Sequence, residues 1–129
     1  MDKIAAIQNF FMQFLPAYEE NAIYSAPTKP KFPYITYEGI FSRFDEEPNA
    51  STAMTFSTWY REATWANAVK KTSDISAAIP SNGKRILCDD GVIVITAASN
   101  PFGSRMGDPS DDLIKRTVHT LNIAFFTLN

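Results

Sequence analysis

The chain has few of the residues on which most catalytic and metal sites depend. Its 129 residues include one cysteine, Cys88, and one histidine, His119. A single cysteine excludes an intrachain disulfide and any metal site built from several cysteines, and it fits a reducing compartment. Any histidine-based acid–base or metal chemistry would have to use His119.

Long apolar runs and a strong charge of either sign are also missing. No apolar stretch approaches the roughly 20 residues of a membrane span. Asp2 and the polar residues Gln8, Asn9 and Gln13 interrupt the apolar N-terminus, which is unlike a signal peptide. The net charge of −2 does not point to nucleic-acid binding. We expect a soluble, non-secreted protein with one domain over residues 1–129.

Common catalytic and ligand-binding motifs are absent. The Gly83–Lys84 pair lacks the upstream glycine and the following Ser or Thr of a P-loop, and there is no G-x-S-x-G. Asp108, Asp111 and Asp112 lack the ligand spacing and closing Glu of an EF-hand, which favours a turn.

A Cys88/His119 nucleophile pair is disfavoured because two aspartates follow Cys88 directly and oppose thiolate formation. We expect His119 to be a packed or partly exposed strand residue and Cys88 to be a buried residue that packs as a small hydrophobe. The sequence therefore predicts no catalytic residue, no metal site and no cofactor.

Two segments have the apolar spacing of helices. The first begins after Asp2, a residue type that caps helices, and ends before Pro16. Its apolar face is predicted from Ile4, Ile7, Phe11 and Phe14, widened by Phe10 and Leu15. The second is predicted to begin at a Thr64 cap and to end before Pro80. Its predicted face comprises Trp65, Val69, Thr72, Ile75 and Ile79.

Strands are predicted over 32–41 and 52–61, forming a hairpin, and on both sides of the Asp90–Gly91 turn within 84–97. A last strand within 114–128 places His119, Leu121, Ile123 and Phe125 on one face. Residues 17–31 are predicted to be irregular, and 97–112 a long polar loop. This order predicts an α+β fold: a mainly antiparallel β-sheet with two helices packed on one face.

The predicted surface suggests contacts between subunits. Small uncharged residues such as Thr55, Ser57, Thr120 and Asn122 occupy the second face of two strands. The 97–112 loop adds Phe, Arg and Met, which are enriched at protein interfaces. The candidate subunit or tube interface comprises Asn100, Phe102, Arg105, Met106, Asp108, Thr120 and Asn122.

Over nearly its whole length the chain resembles the tail terminator (tail-completion) proteins of long-tailed phages and prophages. The similar features are the helix "KIAAIQNFFMQFLP", the strand "FPYITYEG", the strand "TAMTFSTWYR" leading into a second helix, and the final strand "RTVHTLNIAFFTLN". The resemblance implies an α+β subunit of a homohexameric ring. Such a ring caps the tail tube, ends its polymerisation and forms the head–tail joining surface.

The resemblance also implies partners and a location. The partners would be copies of this chain, the tail tube protein and the head–tail connector protein, with DNA only passing through the lumen and no membrane. The location would be the head-proximal end of the virion tail, after assembly in the host cytoplasm. The family has no catalytic residue to carry over.

Other interpretations remain open at this point. They are a head–tail connector or adaptor protein, a small enzyme using Cys88 or His119, and a monomeric α+β binding module. On the terminator interpretation the 97–112 loop reaches a neighbouring subunit or the tube. Deletion of residues 100–108 would then spare the fold and impair assembly.

Overall fold

The computed structural model describes residues 1–25, 29–38, 51–89, 91–98 and 102–127. Its elements, in chain order, are α1 (Lys3–Met12), β1 (Ala17–Glu19), α2 (Glu20–Ser25), β2 (Tyr34–Tyr37), β3 (Ser51–Arg61), α3 (Ala66–Ala77), β4 (Lys84–Cys88), β5 (Gly91–Ala97), β6 (Gly103–Asp108) and β7 (Asp111–Thr127).

All seven strands belong to one sheet, in the order β1-β2-β3-β7-β5-β4, with β6 also paired to β7. Only the β1–β2 pair is parallel. Helices α1 and α3 contribute to a single apolar core on one face of this sheet. The predicted α+β class, with a mainly antiparallel sheet and two helices on one face, is confirmed.

Apolar side chains alternate with polar ones along the strands, so one face of the sheet is apolar. The core forms between this face and the apolar sides of helices α1 and α3. Ile7, Phe10 and Phe11 of α1 are buried against it, and Phe11 stacks on Tyr37 of β2 with ring centroids 4.9 Å apart. The strands contribute Ile35, Met54, Phe56, Ile93, Ile95, Leu121, Ile123 and Phe125. The alternation predicted for β3 and β7 is therefore confirmed.

Helix α1 begins as predicted, because the Asp2 carboxylate accepts a hydrogen bond from the Ala5 backbone N–H at 2.8 Å. Ile4, however, is exposed, so the buried stripe is narrower than predicted. The cap predicted for α3 is wrong. The helix begins at Ala66 after Trp65, and Thr64 lies one residue too early to be its N-cap.

The prediction that 17–31 is irregular is also wrong, because the segment contains β1 and α2. The three residues of β1 pair in parallel with β2, with Ala17 opposite Ile35, and Ala17 is buried. The segment carries no clear period of its own, and its strand depends on pairing with β2. Strand β2 itself is shorter than the predicted 32–41, and residues 39–41 lie outside the described ranges.

The predicted long loop over 97–112 is wrong over most of its length. Strand β5 pairs with the C-terminal half of β7 up to Ala97 opposite Leu121, and β6 then pairs with the N-terminal half from Gly103 opposite His119. The two strands thus follow the same edge of β7 in one direction. The connection shrinks to residues 98–102, and the turn into β7 to Pro109 and Ser110.

No helix within the described ranges is long and apolar enough to cross a membrane.

We predict that Gly103→Ala destabilises the fold by about 1–3 kcal/mol, as overpacking of a close-packed site does. An added Cβ would overlap Cε1 and Nδ1 of the His119 ring, which β7 holds in place. Gly107→Ala in the same strand is the matched control, since its Cβ would meet nothing within 4 Å. Urea unfolding of both variants checks this, and equal stabilities would contradict it.

Candidate interaction surface

Uncharged side chains form the middle of the sheet face opposite α1 and α3, and we call this part the open face. Thr55 lies directly opposite Thr120, and Thr96 opposite Asn122. Ala53 and Asn122 are exposed, and the others are half-buried by their strand neighbours. The open face comprises Ala53, Thr55, Val92, Val94, Thr96, Val118, Thr120, Asn122 and Ala124. Thr120 and Asn122 thus lie on the predicted face, while their role in an interface stays a prediction.

At one end of the open face, the register aligns four side chains across four strands. Tyr34 lies opposite Trp59, Trp59 opposite Arg116, and Arg116 opposite Met106. The Tyr34 and Trp59 rings stack with centroids 6.0 Å apart, and the Arg116 guanidinium lies 4.5 Å from the Trp59 centroid. We call these residues the aromatic–arginine row.

Hydrogen bonds to two buried hydroxyl groups hold side chains of this row in place. Trp59 Nε1 donates to Thr36 Oγ1 at 2.9 Å, and Arg116 Nε donates to Ser57 Oγ at 3.1 Å. Both hydroxyls belong to buried residues. The indole and guanidinium planes are therefore held in place, which makes the row a preorganised surface.

Three residues of the row, Tyr34, Trp59 and Arg116, form the floor of a cleft of about 440 Å³ that we call the aromatic cleft. Helix α2 contributes Glu20 and Ile23 to its wall, and Phe32, which is 38% exposed, lies against Tyr34. Burial, more than the charge of Glu38, raises the pKa of the Glu20 carboxyl, and Arg116 opposes the rise. Among the described residues no ion pair joins Glu20 to Arg116. The cleft thus combines aromatic rings with four charged side chains, the carboxyl groups of Glu20 and Asp108 and the cations of Lys29 and Arg116.

A second row lies on the same face at the other end of the sheet. Leu87 of β4 is opposite Val92 of β5, which is opposite Phe126 of β7. Leu87 is 73% exposed and Phe126 42% exposed. We call these three residues the apolar row. Neighbouring exposed apolar side chains of this size often mark an interaction site.

Two of the predicted interface residues, Phe102 and Asp108, make contacts within the chain, although Asp108 also lines the aromatic cleft, and their role in an interface stays a prediction. The Phe102 ring packs inward against His119 and Phe56, with centroid distances of 4.8 and 6.3 Å, so it belongs to the edge of the core. The Asp108 carboxylate accepts hydrogen bonds from the backbone N–H and hydroxyl of Ser110, which lowers its pKa and stabilises the turn before β7. Asn100 lies outside the described residues.

Arg105 and Met106 do lie at the surface, on strand β6 rather than on a loop. The Arg105 guanidinium lies 5.2 Å from the Trp65 ring centroid. Met106 is 46% exposed, and its sulfur accepts a hydrogen bond from Arg116. Met106 thus ends the aromatic–arginine row, a relation that the sequence alone could not reveal.

His119 is a core residue, as predicted. Its ring stacks on Phe56 at 4.5 Å, with Thr117 Oγ1 2.8 Å from Nε2 and the Phe102 carbonyl 3.4 Å from Nδ1. Thr117 in turn shares a hydrogen bond with Thr58. Burial lowers the pKa of His119 to about 4, so the ring is neutral near pH 7.

Cys88 and His119 are too far apart to act as a nucleophile pair. Cys88 lies opposite Gly91, which lies opposite Thr127, eight residues along β7 from His119. At ~3.3 Å per residue this separation is roughly 26 Å. Within the described ranges, no three His, Cys, Asp or Glu residues cluster so that they could hold a metal ion.

Comparisons of this chain with protein-family models, with curated proteins and with solved structures find no match. The interpretation of the surface therefore depends on its own geometry and on the sequence resemblance.

We predict that His119 makes the stability of the protein depend on pH between about 6.5 and 4. The pKa is lower in the folded chain than the ordinary value of 6.5, so the unfolded state takes up the proton first as pH falls. The free energy of unfolding should then drop by about 3 kcal/mol as the pH falls through this window. Above about pH 6.5, His119 should contribute nothing to the slope of the unfolding free energy against pH.

Urea unfolding of the wild type and of His119→Leu between pH 4 and 8 isolates this effect. The measured quantity is the difference between the two proteins in the slope of the unfolding free energy against pH, because the carboxyl groups contribute to that slope in both proteins. Parallel pH profiles would contradict the prediction.

Proposed function

We propose that this chain is a structural subunit that assembles into a closed ring, and that the ring caps the tail tube of a long-tailed phage or prophage. The open face carries this proposal. The nine side chains of the open face carry no charge, so a neighbouring protein can cover them without burying an unpaired charge, and the arginines of the same sheet face, Arg85 beside Val94 and Arg116 beside Trp59, lie next to them. Within the described part of the chain, α1 and α3 both pack on the other side.

A ring supplies the function through its shape. A closed ring that binds the growing edge of the tube buries that edge, so no further tube subunit can add and the tube stops growing. Its far side then offers a different surface to the head–tail connector. The resemblance to tail terminators supports six copies, the tail tube protein and the connector protein as partners, and the head-proximal end of the tail as the location.

The position of the ring in the particle separates this function from that of a head–tail connector or adaptor. Light scattering after size exclusion gives the oligomer mass, and negative-stain images with tail tubes of the same phage or prophage give the position. A ring of about six copies at the end of the tube supports the proposal. A ring that binds heads but never tubes favours the adaptor, and a protein that stays monomeric with tubes contradicts both.

We predict that Asn122→Lys prevents assembly while leaving the monomer folded. Asn122 is exposed at the centre of the open face, so a lysine there leaves the core intact but places a charge where the neighbour must pack. Its unfolding free energy should stay within about 0.5 kcal/mol of the wild type. Ser73→Lys on the exposed side of α3 is the matched control and should assemble normally. Unchanged assembly of Asn122→Lys would remove the open face from the contact.

The deletion of residues 100–108 is not a usable test of assembly. It would remove β6 from the edge of β7 together with Gly103, which lies against His119. Such a variant should lose stability as well as any contact, so point substitutions are needed.

A further inference from the structure

We propose that Asn82 is a site of spontaneous covalent modification, at which the Gly83 backbone nitrogen displaces the side-chain amide and water then leaves a carboxylate in its place. Asn82 and Gly83 form the one Asn–Gly pair in the sequence. The pair lies between the end of α3 at Ala77 and the start of β4 at Lys84. This inference does not depend on the proposed function.

The reaction needs no reagent other than water. The Gly83 nitrogen forms a bond to Asn82 Cγ, and the bond between Cγ and Nδ2 breaks. The proton of the Gly83 N–H leaves with the amide as ammonia, and a cyclic imide remains. Water then opens the imide at one of its two carbonyl carbons. Opening at Cγ gives aspartate, whereas opening at the backbone carbonyl carbon gives isoaspartate, in which the main chain runs through Cβ and Cγ.

The surroundings of Asn82 favour this attack. Asn82 is exposed in a turn, so water can reach both the amide and the imide. Among the described residues, no hydrogen bond holds the Asn82 side chain, which can therefore rotate towards the next backbone nitrogen. Gly83 has no side chain to hinder the approach of Cγ to that nitrogen.

Two other asparagines within the described ranges lack these features. Asn67 lies within α3, and its Nδ2 donates to both oxygens of the Glu62 carboxylate, at 2.9 and 3.0 Å. Asn122 lies in β7, whose backbone is held by pairing with β3 on one edge and β5 on the other. Each is followed by a residue whose side chain crowds the attacking nitrogen. The modification should therefore select Asn82.

One hydrogen bond sets the rate in the folded chain. The Gly83 N–H donates to the Pro80 carbonyl at 2.9 Å, and the nitrogen cannot attack while this bond holds it. The reaction must wait until the turn opens. A short exposed turn opens locally at a much smaller free-energy cost than global unfolding. Modification should therefore proceed in the folded protein and accelerate when the chain is unfolded.

The two products should differ in their effect on stability. Gly83 is buried with φ +95°, and a Cβ on it would lie 2.6 Å from Val94 Cγ1. The connection is fixed at both ends, because Ile79 is buried and Lys84 pairs with Ile95. Isoaspartate adds a carbon atom to the main chain and would displace Gly83 from this close-packed position. Aspartate only places a charge at an exposed position.

Peptide mapping of the aged full-length chain tests the modification. Tryptic peptide 72–84 contains Asn82 as its only asparagine, and peptide 62–70 contains Asn67 as its only one and serves as the internal reference. Mass spectrometry measures the conversion of amide to acid, and electron-transfer fragmentation distinguishes isoaspartate from aspartate. A sample digested at time zero corrects for conversion during digestion. Asn82→Gln is the matched control, because its longer side chain cyclises far more slowly.

We expect peptide 72–84 of the folded wild type to be converted severalfold faster than peptide 62–70. Conversion of 72–84 should accelerate at alkaline pH, because the attacking nitrogen must lose its proton, and in denaturing urea. Ion exchange should separate acidic forms from aged wild type but not from aged Asn82→Gln. The isoaspartate form should unfold at a lower urea concentration than fresh protein.

Other results would overturn the inference. Equal conversion of the two peptides, or acidic forms in Asn82→Gln at the wild-type rate, would show that Asn82 is not the site. Conversion of 72–84 in urea but not in the folded chain would show that the turn stays closed and protects Asn82. An isoaspartate form as stable as fresh protein would contradict the structural consequence assigned to the Gly83 packing.

Discussion

The hydrogen-bonded ladder along β7 is the interaction on which the rest of the structure depends. This strand has 17 residues and pairs with β3 over eleven positions on one edge. On its other edge it pairs first with β6 and then with β5. A shift of one residue would turn Leu121 and Ile123 to the open face and Asn122 into the core. The register of β7 therefore decides at once which side of the sheet is core and which side can meet a partner.

A buried polar chain makes that register specific. Thr58, Thr117 and His119 are linked by hydrogen bonds that end at the Phe102 carbonyl, so the polar groups of this part of the core are satisfied. This series of hydrogen bonds connects β3 and β7 to the segment that enters β6. Any slip would leave a buried hydroxyl or ring nitrogen without a partner, at a cost of about 1–3 kcal/mol. The only histidine of the protein thus acts as a structural residue, and the closely packed Gly103 is what leaves room for its ring.

The features that the sequence predicted correctly are those determined by local patterns. The alternation of β3 and β7, the Asp2 cap and the antiparallel pairing of β4 with β5 all depend on residues that are neighbours in sequence, and Asp90 of the turn predicted between these two strands lies outside the described residues. Strand β1 was missed because it depends on pairing with β2, and β6 was missed because its own sequence, GSRMGD, is polar and rich in glycine, although it pairs with the next strand, β7. The glycines of β6 suggested a loop, whereas Gly103 is small because His119 lies across from it. The aromatic cleft was missed because its floor draws Tyr34, Trp59 and Arg116 from three strands, and only the register brings them together.

In the proposed ring, the geometry of the surface that each subunit presents becomes a property of its core. The aromatic cleft and the apolar row are both rigidly attached to strands that pair with β7, so their relative orientation follows from the twist of the sheet. Adjacent strands rotate by roughly 20–25° relative to one another, and that rotation is set by backbone sterics and by core packing. Loops contribute little to this relative orientation, because each row consists of strand residues. Changes to core packing that alter the twist would therefore alter ring closure, even where they touch neither surface. In such a protein the physics that folds the subunit also sets the geometry of the assembly.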